Sequence, residues 1–214
     1  MLNVVAAGAM LVSALVAPAS IATATPAVVS PNNITVDVVS ANGSGCPQNS
    51  ADVSVSTDAQ AFTVTYSQYT AQSGAGAQPT DFRMNCQLGL NVHIPQGLTY
   101  AIAGADYRGY AHLQAGAQGQ ESAYYYFQGE PHTTRISHTF AGPADRDWET
   151  SDRVGVAALS YLPCGEERNL NINTELRVAG SRSDHRNETT SFLTMDSTDG
   201  SISTVYHLAW RSCH

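Results

Sequence analysis

Lysine is absent from this chain. All 10 of its basic residues are arginine, set against 18 acidic ones, which leaves a net charge of −8 over 214 residues. The first charged residue is Asp37, so the whole imbalance falls on the region beyond it. An acidic domain is repelled by phosphate backbones, and no stripe of arginines offsets this, so nucleic-acid binding is excluded. Charge of either sign is scarce at 13% of residues, about half the usual share, and polarity comes instead from Ser, Thr, Asn, Gln and Gly. Apolar periodicity of 3.6 residues is missing over any helical length, which excludes a helical bundle. Beyond the N-terminal stretch no segment is apolar enough to span a bilayer. There is no G-x-S-x-G elbow, no C-x-x-C or H-x-x-x-H pair, and no glycine loop with phosphate-cradle spacing.

What is present begins with an apolar run at 4–17, broken only by Gly8 and Ser13 and followed by Ala17-Pro18-Ala19 and Ala22-Thr23-Ala24. Small-x-small cleavage sites behind such a run predict a secretory signal peptide over 1–24, although its n-region lacks positive charge. The rival reading is an uncleaved anchor, but the run is shorter than the roughly 20 residues that a span requires. Residues 25–33 read as a Pro/Ala/Ser linker, and 34–214 as one domain with no membrane association after cleavage. Four cysteines, Cys46, Cys86, Cys164 and Cys213, behind a signal peptide predict two disulfides. Of the three possible pairings, the non-crossing local one, Cys46–Cys86 with Cys164–Cys213, is expected. Each bond would contribute roughly 4 kcal/mol on the chain-entropy model.

The strongest periodic segment is 85–97. Leu88, Leu90, Val92 and Ile94 share one parity, and Gln87, Gly89, Asn91 and His93 the other, the pattern of a strand with one buried face. Further strands are expected at 34–40, 52–56, 61–69, 98–114 (one bent strand or two), 122–128, 133–140, 154–161, 169–178, 192–195 and 202–211. Loops are expected at 71–79, 142–153 and 181–190, with a hairpin turn at Asp199-Gly200. Short strands separated by Gly, Pro and Asn turns predict an all-β fold. The expected form is a single disulfide-stapled β-sandwich of jelly-roll type with about nine or ten strands, a barrel being the alternative.

The order of several motifs resembles a known family. They are Gly43-Ser44-Gly45-Cys46-Pro47, Asn85-Cys86-Gln87-Leu88 with Pro95-Gln96-Gly97, Tyr107-Arg108-Gly109-Tyr110-Ala111, Leu170-Asn171-Ile172-Asn173 and Trp210-Arg211-Ser212-Cys213. Together they are similar to small secreted proteins of fungi and actinobacteria classed as domain of unknown function 4360. The likeness runs from Gly43 to Cys213 and implies a secreted single domain. It carries over no catalytic residue.

Several residues could bear chemistry. Asp145, Asp147 and Glu149 alternate like the opening of a calcium loop, but Thr150 and Val156 stand where an EF-hand needs Gly and Glu. A solvated acidic turn is the simpler reading. The seven histidines show no sequential ligand spacing, so no metal and no cofactor is expected. Glu121, Glu130, Asp106 and Glu175 are carboxylates on or near strands that a glycosidase could pair. Asn33, Asn42 and Asn187 open N-glycosylation sequons.

The candidate ligand face is Asp106, Arg108, Tyr110 and His112, four hydrogen-bonding side chains of one parity, pointing to one side if no bulge intervenes. A flat ring beside a planar cation and a carboxylate suits a sugar. The anchor strand would extend that surface through Gln87, Asn91 and His93 if its outward parity lies on the same side. The expectation is a secreted, monomeric, non-catalytic protein binding an extracellular glycan or cell surface. The alternatives are a polysaccharide hydrolase or lyase, and an inhibitor or effector aimed at another protein.

Overall fold

Alternation in the 85–97 segment builds β5, Arg83–His93, in which Leu88 and Leu90 are fully buried, Val92 is buried, and Gln87 and His93 are exposed. Ile94, expected in the core, lies just past the strand end and is half-buried. The computed structural model describes residues 31, 33–131, 135–195 and 203–213. The expected signal peptide, nearly all of the linker and the Asp199-Gly200 turn fall outside these residues.

Among the described residues the chain forms twelve strands, more than the nine or ten expected. They are β1 Thr35–Asn42, β2 Ala51–Val55, β3 Ala61–Tyr66, β4 Thr70–Gly74, β5, β6 Leu98–Leu113, β7 Gln118–Phe127, β8 Ile136–Ala141, β9 Ala144–Arg153, β10 Leu170–Ala179, β11 Thr190–Thr194 and β12 Thr204–Ser212. All pair antiparallel, in a five-stranded sheet ordered β1-β5-β10-β7-β8 and a seven-stranded one ordered β2-β3-β12-β6-β11-β4, with β9 also on β6. The fold is the expected all-β sandwich.

Four local expectations are corrected. The loop at 71–79 contains most of β4; Thr70, Ala71 and Gln72 offer almost no apolar alternation, and only the partner β11 makes them a strand. The acidic loop at 142–153 is β9. The strand at 154–161 is instead irregular chain around a single 3-10 turn, Val156–Ala158. The loop at 181–190 includes one helical turn, α1 Arg182–His185. Ser181 caps it by accepting from the Asp184 amide while the Asp184 carboxylate accepts from the Ser181 amide.

The two sheets meet over an aromatic core. Phe62 stacks on Tyr206 within the seven-stranded sheet at 5.1 Å, and Tyr100 meets Phe127 of the opposite sheet edge-on at 5.3 Å. Buried tyrosines need partners for their hydroxyls. Across the sandwich Tyr69 bonds Thr174 at 2.9 Å and Tyr107 lies 3.2 Å from Tyr125. Disulfides Cys46–Cys86 and Cys164–Cys213 form as expected. The first ties the turn after β1 to β5, and the second ties the segment before β10 to the end of β12.

β6 is one continuous strand of 16 residues. Its pairing with β12 jumps from Gly104 to Ile102 opposite His207 and Leu208, so Ala103 is bulged. The bulge switches parity: Tyr100 and Ile102 are buried before it, and Ala105, Tyr107, Ala111 and Leu113 after it. Because the break lies upstream of Asp106, the set 106, 108, 110 and 112 stays on one face.

Candidate functional site

That face is the outer surface of the seven-stranded sheet. Beyond the bulge β6 is flanked by β9 on one edge and by β12 and then β11 on the other. The register sets Asp106 opposite Ser151, Arg108 opposite Glu149, Tyr110 opposite Asp147 and His112 opposite Asp145. The alternating acids that imitate a calcium loop are therefore the outward positions of a strand. Its inward positions carry Trp148 and Asp152, both buried. Among the described residues no group of three or more His, Cys, Asp or Glu is placed to hold a metal ion. Gly109 makes room beneath the face, since a Cβ there would fall 2.5 Å from the Trp148 ring and 1.8 Å from the Thr194 carbonyl oxygen.

The four expected residues are brought together, and each meets a partner that sequence reading misses. Tyr110 donates its hydroxyl proton to Asp145 Oδ1 at 2.6 Å, and His112 Nδ1 lies 2.9 Å from the same oxygen. The hydroxyl bond from Tyr110 and then the one from His112 hold the Asp145 carboxyl below its usual range, and the same bond raises Tyr110 above its ordinary value. Arg108 donates to Glu149 at 3.2 Å in an exposed pair. Asp106 accepts from Ser151 and Arg153 on one oxygen and meets His207 Nε2 on the other, each at 2.6 Å. Partial burial opposes its ionisation, but these three bonds outweigh it and hold its carboxyl well below the usual range.

Phe192 of β11 completes the surface. It pairs with His112 in register, stacks on that ring at 5.2 Å and lies near-parallel to Tyr110 at 6.2 Å. The result is a half-exposed aromatic row, Tyr110-Phe192-His112, bordered by Asp145, Asp147 and Glu149. The alternation of 145, 147, 149 and 151 is the signal that could have found β9. Nothing local marks Phe192, which is brought in from 80 residues beyond His112.

The anchor strand does not extend this surface. β5 belongs to the other sheet, so Gln87, Asn91 and His93 face the opposite side of the sandwich, where His93 pairs with Asp37 at 3.0 Å. The four carboxylates considered for a glycosidase are also dispersed. Asp106 lies on the outer seven-stranded face, Glu175 on the outer five-stranded face, and Glu130 pairs with Arg168 at 2.9 Å. Glu121 is fully buried between the sheets, and its oxygens have no hydrogen-bond partner among the described residues. Burial, with the Asp152 charge added, pushes it up to about 9. Asp152 accepts instead from Tyr125 at 3.1 Å and meets His138 at 2.7 Å.

A family model described as "Domain of unknown function (DUF4360)" matches residues 32–213. An "Uncharacterized secreted protein" of Arthroderma benhamiae (strain ATCC MYA-4681 / CBS 112371) is 35% identical over 183 residues, 86% of this chain and 73% of that protein. Among solved structures, the enzymatically active domain of bacteriophage CBA120 tailspike protein 4 aligns over 85% of this chain and 20% of its own, at 10% identity and a TM-score of 0.27. The GH31 alpha-xylosidase of Xanthomonas citri aligns over 84% and 25%, at 9% identity and a TM-score of 0.18. This chain spans a quarter or less of either structure, and likeness at that level carries no argument.

Proposed function

We propose that this chain, which belongs to the DUF4360 family of secreted proteins, is a monomeric, non-catalytic binder of neutral glycans, using the outer face of its seven-stranded sheet. The observation that supports this reading is the Tyr110-Phe192-His112 row beside Asp145. Apolar sugar faces stack on such rings, and carboxylates accept hydrogen bonds from the hydroxyls at the sugar's rim. Four carboxylates against two arginines make the face acidic, which disfavours an anionic glycan. A flat site buries little ligand surface, so the binding is weak and depends on repeated units.

The test is pull-down on insoluble cellulose, chitin and β-glucan. Wild type should be retained on at least one. Tyr110→Ala and Phe192→Ala should each lose that retention at least tenfold while melting close to wild type. Absence of wild-type retention on the whole panel, or retention indifferent to both substitutions, overturns the reading.

A further inference from the structure

The opposite outer face holds a cluster of the reverse sign. Among the described residues Glu175 of β10 is the one carboxylate in it, and its side chain is only 2% exposed. Arg83 donates to Oε2 at 2.5 Å, Arg177 donates to Oε1 at 2.5 Å, and Arg135 approaches Oε2 at 3.6 Å. All three guanidinium side chains are between 43% and 49% exposed. One bidentate arginine satisfies a carboxylate. Three leave two positive charges facing solvent, in a chain of net charge −8. The positions registered beside Glu175 and Arg177 on the neighbouring strands, Asn85, Ser122 and Gln120, are neutral, and Arg83 adds a cation.

Beside the arginines lies an aromatic platform. Tyr124 and Tyr126 of β7 stand in outward positions with rings 14° from parallel and 6.3 Å apart. The Arg135 guanidinium lies over the Tyr124 ring at 5.7 Å, so this one residue joins platform and cluster. Asn173 and Asn171 sit opposite Tyr124 and Tyr126 in register. Two polar groups in the patch have no hydrogen-bond partner among the described residues: the Asn173 amide nitrogen and the hydroxyl of Ser122, a residue only 1% exposed.

We infer that the outer face of the five-stranded sheet is a second ligand site, selective for carboxylated glycans built of uronic acid units. Arg135 and its neighbours would pair with a uronate carboxylate, with Glu175 holding the guanidiniums in place from below. The adjacent sugar ring would stack on Tyr124 and Tyr126. The site is independent of the neutral-glycan face, from which the sandwich core separates it.

Affinity electrophoresis of the folded protein in gels containing polygalacturonate tests this. An acidic protein should be repelled by a polyanion, so retardation there, absent in dextran gels and lost with added salt, is the expected result. Arg135→Gln should weaken retardation several-fold and combination with Tyr124→Ala at least tenfold. Arg83 and Arg177 still hold Glu175 in these variants, so the fold should persist, which circular dichroism checks. Arg186→Gln removes the same charge from an exposed pair with Glu188 and should leave retardation unchanged. The site is overturned if wild type is not retarded, if Arg135→Gln matches Arg186→Gln, or if single-stranded DNA retards the protein as strongly as polygalacturonate.

Discussion

The two outer faces are built by one rule and end with opposite signs. Around Tyr110 on the seven-stranded face Arg108 is matched to Glu149 and Arg153 to Asp106, and two further acids, Asp145 and Asp147, remain. On the five-stranded face three arginines share Glu175. Both faces carry near-parallel rings, Tyr110 with Phe192 and Tyr124 with Tyr126. Period-2 alternation decides only that these side chains point outward. The partner strand decides the charge they meet: β9 brings acids to β6, whereas β5 and β10 bring arginines to one another.

The largest way to break this comparison is to damage the core that holds the faces apart. Leu90→Ala should cost about 2–5 kcal/mol in urea unfolding, the range for a fully buried large-to-small change. Asn91→Ala, next along the same strand, should cost far less, and equal costs would mean that β5 has no inner and outer side.

Next in size is the contrast between the two ion-pair systems. Glu175→Gln removes the anion that three arginines share and should cost about 1–3 kcal/mol, the range for a lost charge-assisted bond at a buried group. Glu149→Gln breaks an exposed pair and should stay within about 0.5 kcal/mol. A like cost for both would erase the distinction between the faces.

pH separates the surfaces from the interior. Asp106 and Glu175 have depressed folded-state pKa values, each because hydrogen bonds from its partners outweigh the opposing effect of burial. The stability they contribute is complete above the ordinary carboxylate range, begins to fall as pH drops through it, and is gone only below their depressed folded-state values. Glu121 runs the other way: burial and then the Asp152 charge raise it to about 9 from 4.5, so stability falls as pH rises through that window. The slope is at most about 1.4 kcal/mol per pH unit. Glu121→Gln should therefore flatten the alkaline side of a melting-temperature profile and leave the acid side in place. An unchanged alkaline limb would show that Glu121 is not protonated in the native state.

The smallest expected effect is on Asp145. Asp145→Asn should barely move the melting temperature, since the bonds it loses are exposed. In an ultraviolet titration Tyr110 should return toward 10, because its bond to Asp145 is the main cause of its raised value. A Tyr110 titration that did not move would remove Asp145 from the site.

Leu88, Leu90 and Val92 announce their strand because apolar and polar residues alternate there with little interruption. β9 stays hidden because three of its five outward residues are acids while its inward side offers one large apolar residue, Trp148. β4 stays hidden for the same reason in milder form, its inward side being Ala71 alone among buried residues. The disulfide pairing is legible because four cysteines in a secreted chain favour short, non-crossing loops. The parity of Asp106, Arg108, Tyr110 and His112 is also legible, because the bulge at Ala103 lies just before it.

By itself, then, the order of residues determines an all-β chain and one outward set of four side chains through short-range alternation, and its covalent staples and family through the count and order of cysteines and motifs along the chain. Tertiary structure alone decides that β5 and β6 belong to different sheets and turn their outer faces away from each other. It alone carries Phe192 to His112 and gathers Arg83, Arg135 and Arg177 around Glu175 from up to 94 positions apart. The physical reason is that strand alternation sets a side chain's direction locally, whereas its neighbours come from hydrogen-bonded ladders between distant segments.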